Sequence, residues 1–188
     1  MARLRCAATL GEPVTIYRII SSAVGPLLLT ADDSGLTRVW FDMGERSQTP
    51  RVHWIPIENA AGSAPARTIE RAHEQLDEYF AGHRTQFDLP LSPEGTEFQR
   101  RVWDALARIP YGTTISYLDL AEAVGDRRAV RAVGGANGRN PLPIVLPCHR
   151  VIGADGSLTG FGGGIERKRW LLEHEGALAR VPTLSLDL

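Results

Sequence analysis

The chain has 188 residues, 43% of them hydrophobic and 23% charged, which suits one domain or two small domains with a buried core. Its net charge of −1 neither favours nor excludes a nucleic-acid partner, but residues 127–150 hold five arginines and no acidic residue, so one segment is strongly basic. Two cysteines are too few for a disulfide framework, and neither a signal-peptide pattern nor a membrane-length apolar run is present, so we expect a soluble cytoplasmic protein with reduced thiols.

Hydrophobic alternation in the first half of the chain predicts a small antiparallel sheet with strands at residues 14–20, 27–31 and 36–41. The prolines and glycine of residues 49–63 predict a loop. From about Pro65, apolar residues at helical spacing predict a helix that stops at Gly82. We expect one more short strand at residues 87–91, and the sequence changes character at residues 92–95. The chain therefore divides into an N-terminal domain, 1–93, and a C-terminal domain, 94–188.

The second half is mostly helical. Four helices are predicted: from the cap Thr96 to residues 110–112, from Ser116 to Gly125, from Arg127 to about Ala136, and from about Glu166 to Glu175. The second and third of these are short, joined by a tight turn, and the third is basic. This arrangement indicates a helix-turn-helix.

Cys148 follows the apolar run 144–146 and precedes His149 and Arg150. A thiolate is a far better nucleophile than a thiol, and a basic neighbourhood lowers a thiol pKa, so this setting favours a reactive cysteine. A lone cysteine after an apolar run is, however, more often simply a buried residue. Residues elsewhere in the chain decide between the two interpretations.

The string Ile-Val-Leu-Pro-Cys-His-Arg-Val-Ile at residues 144–152 resembles the active-site signature of the O6-alkylguanine-DNA alkyltransferases of bacterial type. Further segments resemble that family in order and spacing, namely residues 110–112, 116–117, 131–134, 137–141, 160–164 and 169–175. The resemblance is strong over residues 94–176 and weak over 14–93. It implies an α/β protein with a ribonuclease-H-like sheet and helix, followed by a helical, winged-helix-like domain that carries the helix-turn-helix.

The resemblance also implies the reaction, a stoichiometric and irreversible transfer of an alkyl group from O6-alkylguanine in DNA, and by extension O4-alkylthymine, to Cys148. His149, acting through a water, and Glu175 would keep the cysteine a thiolate. Asn140 would brace the turn that holds the recognition helices against the active-site segment. Tyr117 would crowd a DNA phosphate to help flip the nucleotide, then donate a proton toward the leaving guanine.

The resemblance places the DNA contacts on the third predicted helix. Arg131 would enter the base stack and fill the gap left by the flipped base. Ala132, Gly134, Gly135 and Ala136 would permit close approach to the minor groove, and Arg139 is a further expected DNA contact. The pocket for the base and its alkyl group would be lined by Pro143, Val151, Phe161 and Gly162. Phe161 stands where many family members carry Tyr, and Gly162 where some carry Ser, so this pocket lacks the hydroxyls that those members have.

The resemblance implies no cofactor. Cys6 is the only cysteine of the N-terminal half, so we expect none of the structural zinc found in some relatives. The expected partner is double-stranded DNA bearing O6-alkylguanine, bound by a monomer, with cooperative binding on DNA left open. Two alternatives remain: a relative that flips alkylguanine without transferring anything, which would lack the cysteine, and a cysteine hydrolase that uses Cys148 and His149.

Overall fold

The computed structural model describes residues 14–41, 51 and 53–179. The strands are β1 (Ile16–Ile20), β2 (Leu27–Asp32), β3 (Gly35–Phe41), β4 (Ile55–Pro56), β5 (Ile115–Ser116) and β6 (Val151–Ile152). The helices are α1 (Ala64–Phe80), α2 (Glu97–Leu106), α3 (Tyr117–Ala123), α4 (Val130–Gly138) and α5 (Ile165–His174). Short 3-10 turns lie at Ile57–Asn59, Arg127–Ala129 and Cys148–Arg150.

The first half folds as one sheet covered by α1. The strand order is β3-β2-β1-β4, with β1, β2 and β3 antiparallel and β4 parallel to β1. Helix α1 is capped by the Ser63 side chain and buries Ile69, Ala72 and Leu76 against the sheet. The three strands and the helix confirm the sequence prediction.

Two details of this half differ from the prediction. The expected loop contains β4, whose two residues are too few to produce a detectable alternation. The expected strand at residues 87–91 does not form; only Leu91 bridges to Leu36, because the apolar residues of this segment pack into the core without pairing along an edge.

In the second half, α2, α3 and α4 pack on one another, and β5 pairs in parallel with β6. Both expected N-caps, Thr96 and Ser116, form complete capping boxes. The basic helix begins as a 3-10 turn capped by Asp126 and continues as α4 to Gly138. Within residues 14–41 and 53–179, no helix has the length and apolar character to cross a membrane.

The two halves share one hydrophobic core and are joined by direct hydrogen bonds. The Val39 N–H donates to the Pro141 carbonyl over 2.9 Å, and Arg167 Nε donates to the Val24 carbonyl over 2.7 Å. The rings of Phe41 and Phe161 meet edge to face, with centroids 5.5 Å apart. The sheet therefore forms one wall of the site.

Gly35 is a position in the sheet where any side chain should be harmful. Its φ is +143°, and an added Cβ would lie 2.5 Å from the Pro90 carbonyl oxygen, so Gly35→Ala combines strain with a backbone clash. We expect a loss of about 2–4 kcal/mol in the free energy of unfolding. Gly62→Ala is the matched control, because Gly62 has φ +76° with nothing near its Cβ position. Urea denaturation of both variants checks this; equal losses would contradict it.

Candidate active site

Cys148 lies on a cavity of about 390 Å³ at the junction of the two halves. Its walls come from the end of β3, the end of α4 with the segment that follows it, and the loop before α5; the lining residues are Val39, Trp40, Phe41, Asn137, Gly138, Arg139, Asn140, Pro141, Pro143, Cys148, Phe161, Gly162 and Gly163. Three of the four predicted pocket residues, Pro143, Phe161 and Gly162, therefore line the same cavity as Cys148.

Val151, the fourth predicted pocket residue, does not line the cavity. It is fully buried in β6, where it pairs with Ile115, and its carbonyl accepts a hydrogen bond from Lys168. The Cys148–Arg150 turn ends at Val151, where the chain continues as the buried strand β6. The assignment of Val151 to the pocket has no support in this geometry.

The turn before Cys148 is strained and held by Asn140. Ile144 has φ +73°, a left-handed conformation that is rare for a β-branched residue and costs about 1–3 kcal/mol. The Asn140 side chain accepts from the Leu142 N–H at 2.9 Å and donates to the Leu146 carbonyl at 2.7 Å. One amide thus ties both ends of the strained turn together.

The thiol of Cys148 is buried, with 4% of its surface exposed. Burial raises its pKa to about 11, and the Asn140 side chain, the Lys168 charge and the nearby backbone N–H groups offset only part of that rise. The sulfur is therefore a protonated thiol at neutral pH, contrary to the expectation of a lowered pKa. Burial is the main cause, and Arg150 does not offset it, because its guanidinium donates to Glu175 and to the Ile109 carbonyl.

His149 is arranged as a base. Its Nε2 lies 2.8 Å from Oε1 of Glu175. Burial alone would raise the pKa of Glu175, but His149 and Arg150 outweigh burial and lower it well below its usual range, so this group is a carboxylate and can only accept. Burial lowers the pKa of His149, which is therefore neutral, carries its proton on Nε2 and has its lone pair on Nδ1. That Nδ1 is buried with no partner among the described residues.

Glu175 is the centre of a larger network than the sequence predicted. Its carboxylate also accepts from the hydroxyl of Tyr79 at 2.8 Å and from the Gly112 N–H at 3.2 Å, in addition to Arg150 at 2.8 and 2.9 Å. Arg150 lies in the string of residues 144–152 that resembles the family's active-site signature, so its part in this network could have been predicted from the sequence. Tyr79 could not, because it lies 96 residues from Glu175 along the chain.

Tyr117 begins α3 and is half-buried beside the loop that precedes α5. Its hydroxyl donates to the Thr159 carbonyl at 3.1 Å, and burial raises its pKa. Lys168 holds the same loop, since its Nζ donates to the carbonyls of Val151 and Thr159, each at 2.6 Å, and burial lowers its pKa to about 8. Sequence reasoning missed the role of Lys168, although it is the single lysine of an arginine-rich chain.

The predicted DNA-contact residues lie on the outer side of α4. Arg131, Ala132 and Arg139 are exposed, and Gly134 and Gly135 are half-buried. The opposite side of the helix, with Val133 and Asn137, is buried, and so is Ala136, which therefore does not face outward as expected for a minor-groove contact. The outer side of the helix therefore carries small side chains together with arginines, which permits close approach to a polyanion.

Asn137 was not singled out by sequence reasoning either. It is buried on the same cavity, and its amide interacts with the Tyr117 hydroxyl, which offsets part of the rise that burial causes in the pKa of Tyr117. No group of three or more metal-ligating side chains occurs within the residues that the structure describes. Cys6, on which the zinc expectation depended, lies outside them.

Two family models match the chain, and together they span most of it. Residues 15–93 match the ribonuclease-like domain of 6-O-methylguanine DNA methyltransferase, and residues 97–177 match the DNA-binding domain of the same family. A methylated-DNA–protein-cysteine methyltransferase of Mycobacterium bovis is 51% identical over 160 residues, covering 85% of this chain and 91% of that protein. One of Methanosarcina acetivorans is 45% identical over 161 residues, covering 86% and 98%.

Solved structures agree with the sequence relatives. The O6-methylguanine methyltransferase of Mycobacterium tuberculosis superposes with a TM-score of 0.75 at 49% identity, covering 89% of this chain and 96% of that one. The structure of the same organism's OGT in complex with DNA gives 0.74 at 50% identity, covering 86% and 93%. The chain belongs to the 6-O-methylguanine DNA methyltransferase family.

Proposed function

We propose that Cys148 is the residue through which this chain repairs alkylated DNA, by taking the alkyl group of O6-alkylguanine onto its sulfur. The observation that carries the proposal is the placement of a buried thiol on a base-sized cavity, next to a histidine whose Nδ1 is an unpartnered base. The family of the chain supports direct transfer to a cysteine.

The thiol must lose its proton as it reacts, because burial keeps it protonated at rest. We assign that proton to His149 Nδ1, reached through a water, with Glu175 stabilising the imidazolium that results. The sulfur then forms a bond to the alkyl carbon as the bond from that carbon to O6 breaks. The guanine leaves with the electron pair and takes up a proton, for which the Tyr117 hydroxyl is the proposed donor.

The product explains why one chain should act once. An S-alkyl thioether is inert, unlike a thioester, and neither the cavity nor the residues around it supply a group to remove it. The geometry therefore favours a stoichiometric acceptor over a cysteine hydrolase.

DNA engagement is proposed to occur through α4. A base inside a duplex cannot reach the cavity, so the nucleotide must be flipped at a cost of a few kcal/mol. Arg131, exposed on α4, is the proposed residue to fill the gap, and Ala132, Gly134, Gly135 and Arg139 are proposed to lie against the minor groove. The proposal extends to O4-alkylthymine as a second substrate and to a monomeric, cytoplasmic protein. It also divides the chain into two domains, 1–93 and 94–188.

A transfer titration tests the function. Increasing amounts of duplex DNA with radiolabelled O6-methylguanine are added to a fixed amount of protein, and the label retained by protein is counted. We expect a plateau at one methyl group per chain, with no further repair when more DNA is supplied. Continued repair beyond one equivalent, or sustained turnover of an acyl ester, would contradict the proposal and favour the hydrolase.

A further inference from the structure

Tyr79 is a fully buried tyrosine of α1 that is held in place by both halves of the chain. Its ring packs against the rings of Phe87, Tyr111 and His174, with centroids 5.6, 6.2 and 5.2 Å away. Its backbone carbonyl accepts a hydrogen bond from His174 Nε2 at 2.8 Å. Burial and the charge of Glu175 raise the pKa of Tyr79 well above its ordinary value, so the hydroxyl keeps its proton and donates it to that carboxylate.

The hydroxyl of Tyr79 bonds the same carboxylate oxygen that orients His149. Oε1 of Glu175 accepts from the Tyr79 hydroxyl at 2.8 Å, from His149 Nε2 at 2.8 Å and from the Nη2 group of Arg150 at 2.9 Å. The other oxygen, Oε2, accepts from Arg150 Nε at 2.8 Å and from the Gly112 N–H at 3.2 Å. Because three donors share Oε1, each of them draws on negative charge that would otherwise act on the other two. Tyr79 and His149 are thus coupled through a single atom.

The basicity of His149 is set by the groups that surround it and Glu175. Burial lowers the pKa of His149, Glu175 raises it, and the two cations, Arg150 and Lys168, lower it further. Titratable groups face this pair from α1, from the segment after α2, from the Cys148–Arg150 turn and from α5; they are Tyr79, Tyr111, Cys148, Arg150, Lys168 and His174. The strength of the base therefore depends on how much of the Glu175 charge acts on it.

We propose that Tyr79 is a positioning residue of the N-terminal half that holds and moderates the Glu175 carboxylate and so limits the basicity of His149. This rests on the proposed function, in which His149 takes the proton of the Cys148 thiol. The Tyr79 hydroxyl draws part of the charge on Oε1 away from His149, which keeps the imidazole neutral and able to accept a proton near neutral pH. Contact between the two halves of the chain is therefore part of the chemistry as well as of the fold.

Tyr79→Phe tests the proposal, because it removes the hydroxyl and keeps the ring that the surrounding aromatic side chains contact. Arg150 still pairs with Glu175 and keeps it charged, so more of that charge stabilises the imidazolium and the pKa of His149 should rise. We expect the NMR titration midpoint of the His149 ring, measured on the protein without DNA, to move upward by about 0.5–1 pH unit. The acid side of the pH profile for single-turnover methyl transfer should move in the same direction by the same amount.

Tyr111→Phe is the matched control, since the Tyr111 hydroxyl donates to the His174 carbonyl at 3.4 Å and not to the carboxylate. Its His149 midpoint should stay within about 0.2 pH unit of the native value. A purely structural role for Tyr79 would lower stability without moving the midpoint. A midpoint in Tyr79→Phe that is unchanged or lowered, or an equal rise in both variants, would overturn the inference.

A second variant covers the case in which Tyr79→Phe folds poorly. Tyr79→Met, whose unbranched side chain adapts to an irregular space and donates no hydrogen bond, should show the same upward shift. Absence of methyl transfer by the native protein at every pH would overturn the proposed function. Transfer by the native protein together with an unchanged His149 midpoint in the Tyr79 variants refutes the role of Tyr79 alone.

Discussion

Replacing Cys148 by Ser is expected to abolish alkyl transfer, slowing it on the order of 10⁴-fold or more. A serine hydroxyl holds its proton far more tightly than a thiol, and its oxygen is a much weaker nucleophile toward an alkyl carbon than sulfur is. Single-turnover transfer from O6-methylguanine DNA measures the loss.

Binding of the same DNA by Cys148→Ser is the matched control. The replacement is nearly isosteric and leaves Arg131 and α4 untouched, so affinity for a methylated duplex should stay within about threefold of the native protein. Such a protein would resemble the rival that flips alkylguanine without accepting the group. Full repair by Cys148→Ser would show that the nucleophile has been misassigned.

Replacing Glu175 by Gln should be the most destabilising conservative change near the site, with a loss of about 3–5 kcal/mol in the free energy of unfolding. The amide removes the negative charge that Arg150 and His149 face in the interior, and it presents a donor toward the Tyr79 hydroxyl and the Gly112 N–H. A buried guanidinium without its partner accounts for most of the cost. Transfer should slow too, because His149 loses the group that orients it.

The same network predicts how stability depends on pH. The pKa of Glu175 is depressed in the folded protein, so its contribution is fully present above its ordinary value of about 4.5 and declines as pH falls below that toward the folded value. Urea denaturation between pH 7 and pH 3 should therefore show the gap between native protein and Glu175→Gln narrowing as the solution becomes more acidic. A gap that is constant or that widens would contradict the assignment of a charged Glu175.

Glu78→Gln is the control for a carboxylate in an ion pair at the surface. Glu78 bonds Arg84 at 2.6 Å, but the two side chains are 50% and 27% exposed, so water screens the pair. The expected loss is below about 1 kcal/mol. A comparable loss in both variants would mean that burial of the Glu175 network contributes little.

The sequence predicted the elements whose signals are local. Alternation located β1, β2 and β3, and the capping residues Thr96 and Ser116 marked the starts of α2 and α3, because these patterns depend only on neighbours within a few residues. The pair His149 and Glu175 came from the resemblance, and the structure brings the two side chains into contact.

The features that escaped prediction are those that depend on contacts between distant residues. The bond between Tyr79 and Glu175 joins the two halves of the chain. The raised thiol pKa of Cys148 follows from desolvation by the whole interior, which a basic local sequence does not reveal. The contact between Asn137 and Tyr117 and the burial of Lys168 become visible only once the cavity and the loop around it are assembled.

Peptide mass mapping after reaction with O6-methylguanine DNA tests the central claim most directly. Cleavage after arginine releases Cys148 in the peptide of residues 140–150 and Cys6 in the peptide of residues 6–18, so one digest contains both the candidate and an internal control. The account predicts a gain of one methylene group on the Cys148 peptide, in proportion to the lesion lost from the DNA, and an unchanged Cys6 peptide. An unmodified Cys148 peptide from protein that has cleared its DNA of the lesion would contradict it.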